Sequence, residues 1–433
     1  MLPKDSTVIP NSTSQRNFAI AAVGKLCDAG FEALWAGGCV RDRLLGQEPQ
    51  DYDVATNATP DEVRKVFGKR KTLAIGAAFG VIVVLGDQQG LQIDVATFRS
   101  DSPYSDGRHP DAVTFSTAEE DAKRRDFTIN GMFFDPLKDK VIDYVGGSQD
   151  IQNRMLRAIG NPHDRIGEDK LRMLRAVRFA AIYGLTIDEK TLDAIRVHAG
   201  ELSVVSAERI ASEIRKMLAH PQRKQAVNLL VETDLLQQVF KSDSLFNSEN
   251  STATIQLVQK LRTERFETAL AAVLLSLMGP DPTTPIATSG RDLSSWCKQW
   301  KLSNEESKLV VWLLESLPCI LTANDDAWPA IQPVLIHTDI QELLSLADAV
   351  TAHWDHCESE AIEYCRQQIR LPIETLNPQP LVSGTDLLSL GLQPGPSFKE
   401  ILNTIREQQL LGKIDTQQAA LKVALSLAEN YHR

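Results

Sequence analysis

A glycine pair between an apolar run and an arginine-bearing turn, followed at short range by two carboxylates, constrains this chain more than any other stretch. Residues 36–56 read AGGCVRDRLLGQEPQDYDVAT. FEALWAGG predicts a strand running into the Gly37–Gly38 turn, VRDRLLG a helical turn behind it, and DYDVAT a second strand. Alternate residues of a strand share a face, so Asp51 and Asp53 are expected to project together. Such a pair suits hard, oxygen-preferring divalent cations such as Mg²⁺. Gly37 and Gly38 let the backbone approach a ligand, with their N–H groups expected free for phosphate oxygens, and Arg41 adds a planar cationic fork. A phosphate cradle beside a metal-holding carboxylate pair is the equipment of phosphoryl chemistry on a nucleoside triphosphate. The glycine spacing matches neither the dinucleotide-binding G-x-G-x-x-G nor the P-loop G-x-x-x-x-G-K-[ST], so an oxidoreductase and a P-loop ATPase fit poorly.

Residues 15–30 have helical spacing with Gly30 as the stop, and Thr59-Pro60-Asp61-Glu62 opens another helix. FGVIVVLG and GLQIDVATFR read as a hairpin about Asp87–Gly90, with Asp94 facing the way of Asp51 and Asp53. A helix is expected over AEEDAKRRDFTINGMF; in it Arg124 and Arg125 are suited to a triphosphate, and Asp126 and Asn130 to ribose hydroxyls. Strands and helices mix without regular βαβ alternation, which predicts an α+β head. Past about Arg165 the β-rich runs cease. One helix is expected over 168–182, with Leu171, Leu174 and Val177 on one side and Asp169, Arg172 and Arg175 on another. Asp169 and Arg172, three residues apart on one face, either pair with each other or turn their edges to a nucleotide base, Asp accepting and Arg donating. Arg175 and Arg178 continue that face toward phosphates. Residues 206–218 predict a serine-capped helix, 279–292 a loop and 372–386 a Pro-rich linker.

A length of 433 residues predicts two to four domains. No apolar run reaches a membrane-spanning length and the first residues are polar, so neither a span nor a signal peptide is expected. Six cysteines without a C-x-x-C pair fit free thiols in a reducing cytoplasm. The net charge of −11 argues at first against nucleic acid, but residues 241–380 alone hold 10 Lys+Arg against 19 Asp+Glu. The rest of the chain is near neutral with dense arginine clusters, compatible with RNA on a local basic face. His337, His353 and His356 form no adjacent His-Asp pair of the kind a metal phosphohydrolase needs and are expected at the surface or in packing, as are Trp296, Trp300, Trp312 and Trp328 between helices.

GGCVRDRLLGQEPQDYDVAT, IDVATFR, RRDFTIN, DYVGGSQD, EDKLRMLRAVRF and SAERIASE occur in the order found in bacterial class II tRNA nucleotidyltransferases, the CCA-adding enzymes and their poly(A) polymerase relatives, which the chain resembles over residues 31–218 and again in its tail. The resemblance implies a polymerase-beta-like catalytic head over 1–160, a helical neck over 161–240, an acidic helical body over 241–375 and a tRNA-contacting tail over 376–433. Asp51 and Asp53 would bind two Mg²⁺ ions, one activating the RNA 3′-hydroxyl and the other escorting the triphosphate, with Asp94 as a third acid. Gly38, Arg41 and Arg125 would hold the triphosphate. Asp169 and Arg172, supported by Arg175 and Arg178, would read CTP and ATP in place of a nucleic-acid template, and DYVGGSQD would be the hinge between head and neck. The loop Tyr104–Pro110 argues against addition of CC alone, and a neutral tail favours tRNA over a poly(A) polymerase's substrates: residues 381–433 hold five Lys+Arg and five Asp+Glu. Addition of the whole CCA and addition of the terminal A both stay open, as does the oligomeric state. A noncatalytic RNA-binding protein is the contrasting expectation, and the intact Asp51/Asp53 pair argues against it.

Overall fold

The structure, a computed structural model, describes residues 12–101, 113–240, 251–278, 281–283, 293–354, 357, 359–392 and 395–431. They belong to two compact units, Met1–Lys241 and Ser242–Arg433. The loop Tyr104–Pro110, most of the loop expected over 279–292, and His356 lie outside the described residues.

The first unit is built on a seven-stranded mixed sheet. In chain order its strands are β1 (Ala33–Ala36), β2 (Asp53–Thr56), β3 (Thr72–Gly76), β4 (Val81–Leu85) and β5 (Gln92–Thr97). A separate hairpin of β6 (Arg99–Asp101) and β7 (Val113–Phe115) follows, and β8 (Phe133–Asp135) and β9 (Lys140–Ile142) complete the sheet. The spatial order is β3-β4-β5-β2-β1-β8-β9, antiparallel except for the parallel pair β2 and β5. Helices α1 (Ser12–Asp28), α2 (Gly38–Leu44), α3 (Pro60–Phe67) and α4 (Ala118–Lys123) belong to this sheet. Thr59 and Glu62 close a capping box on α3, as its opening residues predicted. One sheet face carries Leu34, Ala36, Ala55 and Phe133 against Ala118 and Ala122 of α4. The helix expected over AEEDAKRRDFTINGMF stops at Lys123: the RRDFTIN segment is a turn leading through a 3-10 turn at Thr128–Asn130 into β8. Apolar spacing did not reveal this break, because Phe127, Ile129 and Phe133 are all buried whichever way the chain runs.

Seven helices follow: α5 (Gly147–Gln152), α6 (Pro162–Glu168), α7 (Leu171–Tyr183), α8 (Glu189–His198), α9 (Ala207–Leu218), α10 (Arg223–Glu232) and α11 (Leu235–Val239). Asp143 ties the DYVGGSQD turn down by accepting the backbone N–H groups of Val145, Gly146, Gly147 and Ser148. Gly147 packs so tightly on the Thr128 carbonyl and Met132 that a Cβ has no room there. The single helix expected over 168–182 is two: Glu168 ends α6, Asp169 is extended (φ −147°), and α7 begins at Leu171. The regular elements among the described residues of the second unit are all helices. Phe266–Met278 is buried at every position but Glu267 and is largely apolar around its circumference, as a central helix must be. Trp296 and Trp300 stack with ring centroids 4.6 Å apart and Trp312 stacks on His337, the packing roles expected of them. The segment 372–386 is more than a linker: it contains the helical turn Ile373–Leu376, and Val382 enters a core with Leu387, Ile401, Ile405, Ala420 and Ala424.

Candidate active site

The sheet register places the carboxylates. Val54 of β2 pairs with Val95 of β5, so Asp53 and Asp94, one residue earlier on each strand, stand side by side on the face that carries Ala36 and Ala55. Asp51 lies just ahead of β2, yet the alternation holds: Asp51 and Asp53 are exposed and Tyr52 between them is buried. Desolvation raises the Asp53 carboxyl from 3.8 to about 6; the Asp94 charge adds to this, Arg125 opposes it, and Asp51 raises it further. Burial and the Asp51 charge raise Asp94 as well. Hard oxygen donors open to solvent, mutually repelling and faced by one guanidinium, fit a divalent cation that keeps part of its water shell. Among the described residues no three His, Cys, Asp or Glu side chains close into a tight metal cage.

Gly37 turns at φ 70°, a conformation costly to other residues, and a Cβ there would sit 3.0 Å from Arg125 Nη1. One expectation fails here: the Gly37 N–H is not free but donates to the Met132 carbonyl at 3.3 Å. Gly38 begins α2, where helix geometry leaves an N–H without an internal partner. Arg125 and Arg124 are both gripped by Asp121, whose side chain is 2% exposed; burial raises that carboxyl, and the two arginine charges more than reverse the effect. Arg41, also buried, has Nε and Nη2 on Asp42, Nη1 on Asn130 Oδ1 at 2.7 Å, and Nη2 on the Tyr183 hydroxyl at 2.6 Å. Asn130 Nδ2 donates to Asp126 Oδ1, and Asp126 Oδ2 accepts from both Nε and Nη2 of Arg175. Asp126 and Asn130, expected on a ribose, therefore form a bridge between the glycine turn and α7.

Asp169 and Arg172 do not pair with each other. Asp169 Oδ1 accepts the Leu171 N–H and Oδ2 takes Arg209 Nη2 at 2.7 Å. Arg172 Nη1 binds Glu168 Oε2 and the Arg165 carbonyl. Arg178 lies on Glu213 at 2.5 Å rather than facing open solvent. Sequence reasoning passed over Asp42, Asp121, Glu168, Phe179, Tyr183, Arg209 and Glu213. The SAERIASE segment held Arg209 and Glu213, but nothing along the chain says that α9 lies over α7.

The chain matches the family described as "Poly A polymerase head domain" over residues 33–157, "Probable RNA and SrmB- binding site of polymerase A" over 184–243, and "tRNA nucleotidyltransferase domain 2 putative" over 283–425. It is 34% identical over 405 residues to the CCA-adding enzyme of Latilactobacillus sakei, covering 92% of this chain and 94% of that one. The chain belongs to the CCA-adding enzyme family. The CCA-adding enzyme of Enterococcus faecalis is 33% identical over 418 residues, 96% of each chain. The Bacillus stearothermophilus CCA-adding enzyme, solved in complex with CTP, superposes with a TM-score of 0.73 at 27% identity over 96% of this chain and 98% of that one. The Thermotoga maritima CCA-adding enzyme, solved with tRNA, shares the fold with a TM-score of 0.65 at 20% identity, covering 98% and 97%. The head is accordingly a polymerase-beta-like nucleotidyltransferase, joined to a mostly helical remainder, and its family's chemistry requires a divalent metal.

Proposed function

We propose that this protein adds C, C and A in turn to the 3′ end of tRNA from CTP and ATP, without a nucleic-acid template, in the cytoplasm. The observation that carries the reading is the register of β2 on β5, which sets Asp53 beside Asp94 on the face that Arg125 overlooks, in a member of the CCA-adding family. Each addition forms a bond from the RNA 3′-oxygen to the α-phosphorus and breaks the bond from that phosphorus to the bridging oxygen; the hydroxyl proton goes to solvent and pyrophosphate leaves. Asp51 and Asp53, with Asp94 beside them, would hold Mg²⁺, which supplies stabilisation of negative charge on the attacking and leaving oxygens. Gly37 shapes the turn, and Gly38, Arg41 and Arg125 receive the triphosphate. Asp126 and Asn130 join that turn to α7. Asp169 accepts from and Arg172 donates to the base, Arg209 and Glu168 holding them at their working angles, while Arg175 and Arg178 brace the helix. Residues 1–160 act as the catalytic head, 161–240 as the neck, 241–375 as an acidic body held off phosphate, and 376–433 as a tRNA-contacting tail. Six free cysteines and the lack, among the described residues, of a helix long and apolar enough to cross a membrane are in keeping with a cytoplasmic site of action.

Purified protein with Mg²⁺ is given three tRNAs, ending before CCA, after C, or after CC, each with CTP and ATP together, one or the other labelled at the α-phosphate. Extension of all three to CCA is the expected result. No incorporation into any of them sinks the proposal, growth on the CC-ending tRNA alone makes the protein an A-adding enzyme, and a long adenylate ladder on unstructured RNA makes it a poly(A) polymerase.

A further inference from the structure

Phe179 and Tyr183 lie one turn apart on α7, and three guanidiniums gather on them. Arg41, Arg175 and Arg178 stand 5.1, 5.1 and 4.1 Å from the centroid of the Phe179 ring, and Arg41 also lies 4.3 Å over the Tyr183 ring. Phe179 is 4% exposed and is backed edge-on by Phe127, so its faces are fixed. Each guanidinium already has one carboxylate: Asp42 for Arg41, Asp126 for Arg175, Glu213 for Arg178. Aromatic faces attract cations without adding negative charge. A further acid at this point would repel a phosphate; a ring does not.

Arg41 shows what this arrangement leaves available. A guanidinium has five N–H donors. Nε and one Nη2 hydrogen serve Asp42, the other Nη2 hydrogen serves Tyr183, and one Nη1 hydrogen serves Asn130. One Nη1 donor remains, and the guanidinium lies against Gly38, where an added Cβ would meet Arg41 Nη2 at 3.6 Å. Asp42 is the next residue in sequence and moves with Arg41, so by itself it cannot fix the fork relative to α7; the Tyr183 hydroxyl, which bonds both Arg41 and Asp42, can, from the last turn of that helix.

We propose that Tyr183 and Phe179 are positioning residues for triphosphate binding: together they hold Arg41, on α2 of the head, at the angle that presents its remaining donor to phosphate. This rests on the reading of Arg41 as a triphosphate ligand. Through these two side chains α7, whose first turn carries Arg172, also sets the phosphate grip, so base selection and triphosphate binding share one rigid element.

The test uses the full chain and three variants, Tyr183→Phe, Phe179→Leu and Phe179→Tyr, titrated at equilibrium with CTP, ATP and cytidine and assayed for KM and kcat. Tyr183→Phe removes one oxygen that accepts from a charged donor, and is expected to weaken CTP and ATP alike by about tenfold. The KM should rise to match, with kcat within about twofold, the CTP-to-ATP ratio unchanged and cytidine binding unaffected, because cytidine carries no phosphate. Phe179→Leu keeps an apolar side chain without the ring face and should lose about tenfold for the triphosphates; Phe179→Tyr keeps the face and should restore most of it. Unchanged triphosphate affinity in folded Tyr183→Phe protein overturns the proposal, as does an equal loss for cytidine. If Phe179→Leu fails to fold, Tyr183→Phe still decides. An unaltered chain that binds CTP but incorporates nothing sinks the addition reading while the affinities still judge this one; an unaltered chain that binds no triphosphate sinks both.

Discussion

At the sheet, Asp51, Asp53 and Asp94 crowd together with Arg125 as a cation that opposes them, whereas on α7 Arg172, Arg175 and Arg178 each hold a carboxylate at 2.5–2.6 Å, that of Arg172 shared with Arg165. The two regions treat charge in opposite ways, as the tasks proposed for them require. A cation site must stay undercompensated, or the incoming metal has nothing to neutralise. A side chain that reads a base must be held still before the base arrives, and a buried guanidinium is held still by satisfying it. Arg41, the proposed phosphate ligand, is intermediate: four of its donors are engaged and one is left over.

The sharpest way to break this comparison is to discharge the sheet. Asp53→Ala is expected to lower nucleotide incorporation by about 10³-fold or more while the affinity for tRNA survives, read by extension assay and filter binding on one preparation. Incorporation that persisted unchanged would remove Asp53 from the metal site. Next, Glu213→Leu leaves Arg178 buried without its carboxylate and should cost about 3 kcal/mol of folding stability by denaturant titration; a cost near zero would mean that the Phe179 face alone satisfies Arg178. Arg172→Ala should relax the preference for CTP and ATP over GTP and UTP by about 10- to 100-fold, more than it weakens triphosphate binding. Equal losses with all four nucleotides would count against base reading.

The smallest effect is on pH. Burial raises the Asp126 carboxyl, but the Arg175 charge and the hydrogen bonds from Arg175, Asn130 and Phe127 more than reverse this, holding it below its ordinary value of 3.8. A depressed carboxyl contributes stability that is present above the unfolded value and is lost as pH falls through the folded one. Thermal stability should therefore fall below about pH 4, less steeply in Asp126→Asn, which starts lower at neutral pH. Identical slopes would show that Asp126 carries none of the acid sensitivity.

Much of the head was legible along the chain because its signals are local. The Thr59/Glu62 capping box, the hairpin of β4 and β5, and the alternation around Tyr52 each depend on neighbours a few residues apart. The failures have local reasons too. Asp169 sits in a break between α6 and α7 that apolar periodicity crosses unmarked, since Ile166, Leu171 and Leu174 are buried on both sides of it. The Gly37 N–H looked available until the residue just ahead of β8, Met132, placed its carbonyl beside it.

The sequence by itself determined that a carboxylate pair, a glycine turn and an arginine-rich helix exist, and in what order, because residue type and short spacing state those facts directly. Only the tertiary structure decided which charges are spent and which are spare. Asp94 reaches Asp53 through strand pairing across 41 positions, Arg209 reaches Asp169 across 40, and Tyr183 reaches Arg41 across 142. Whether a guanidinium binds a ligand or merely balances a neighbour depends on what packs against it, and no local pattern encodes a partner that far along the chain.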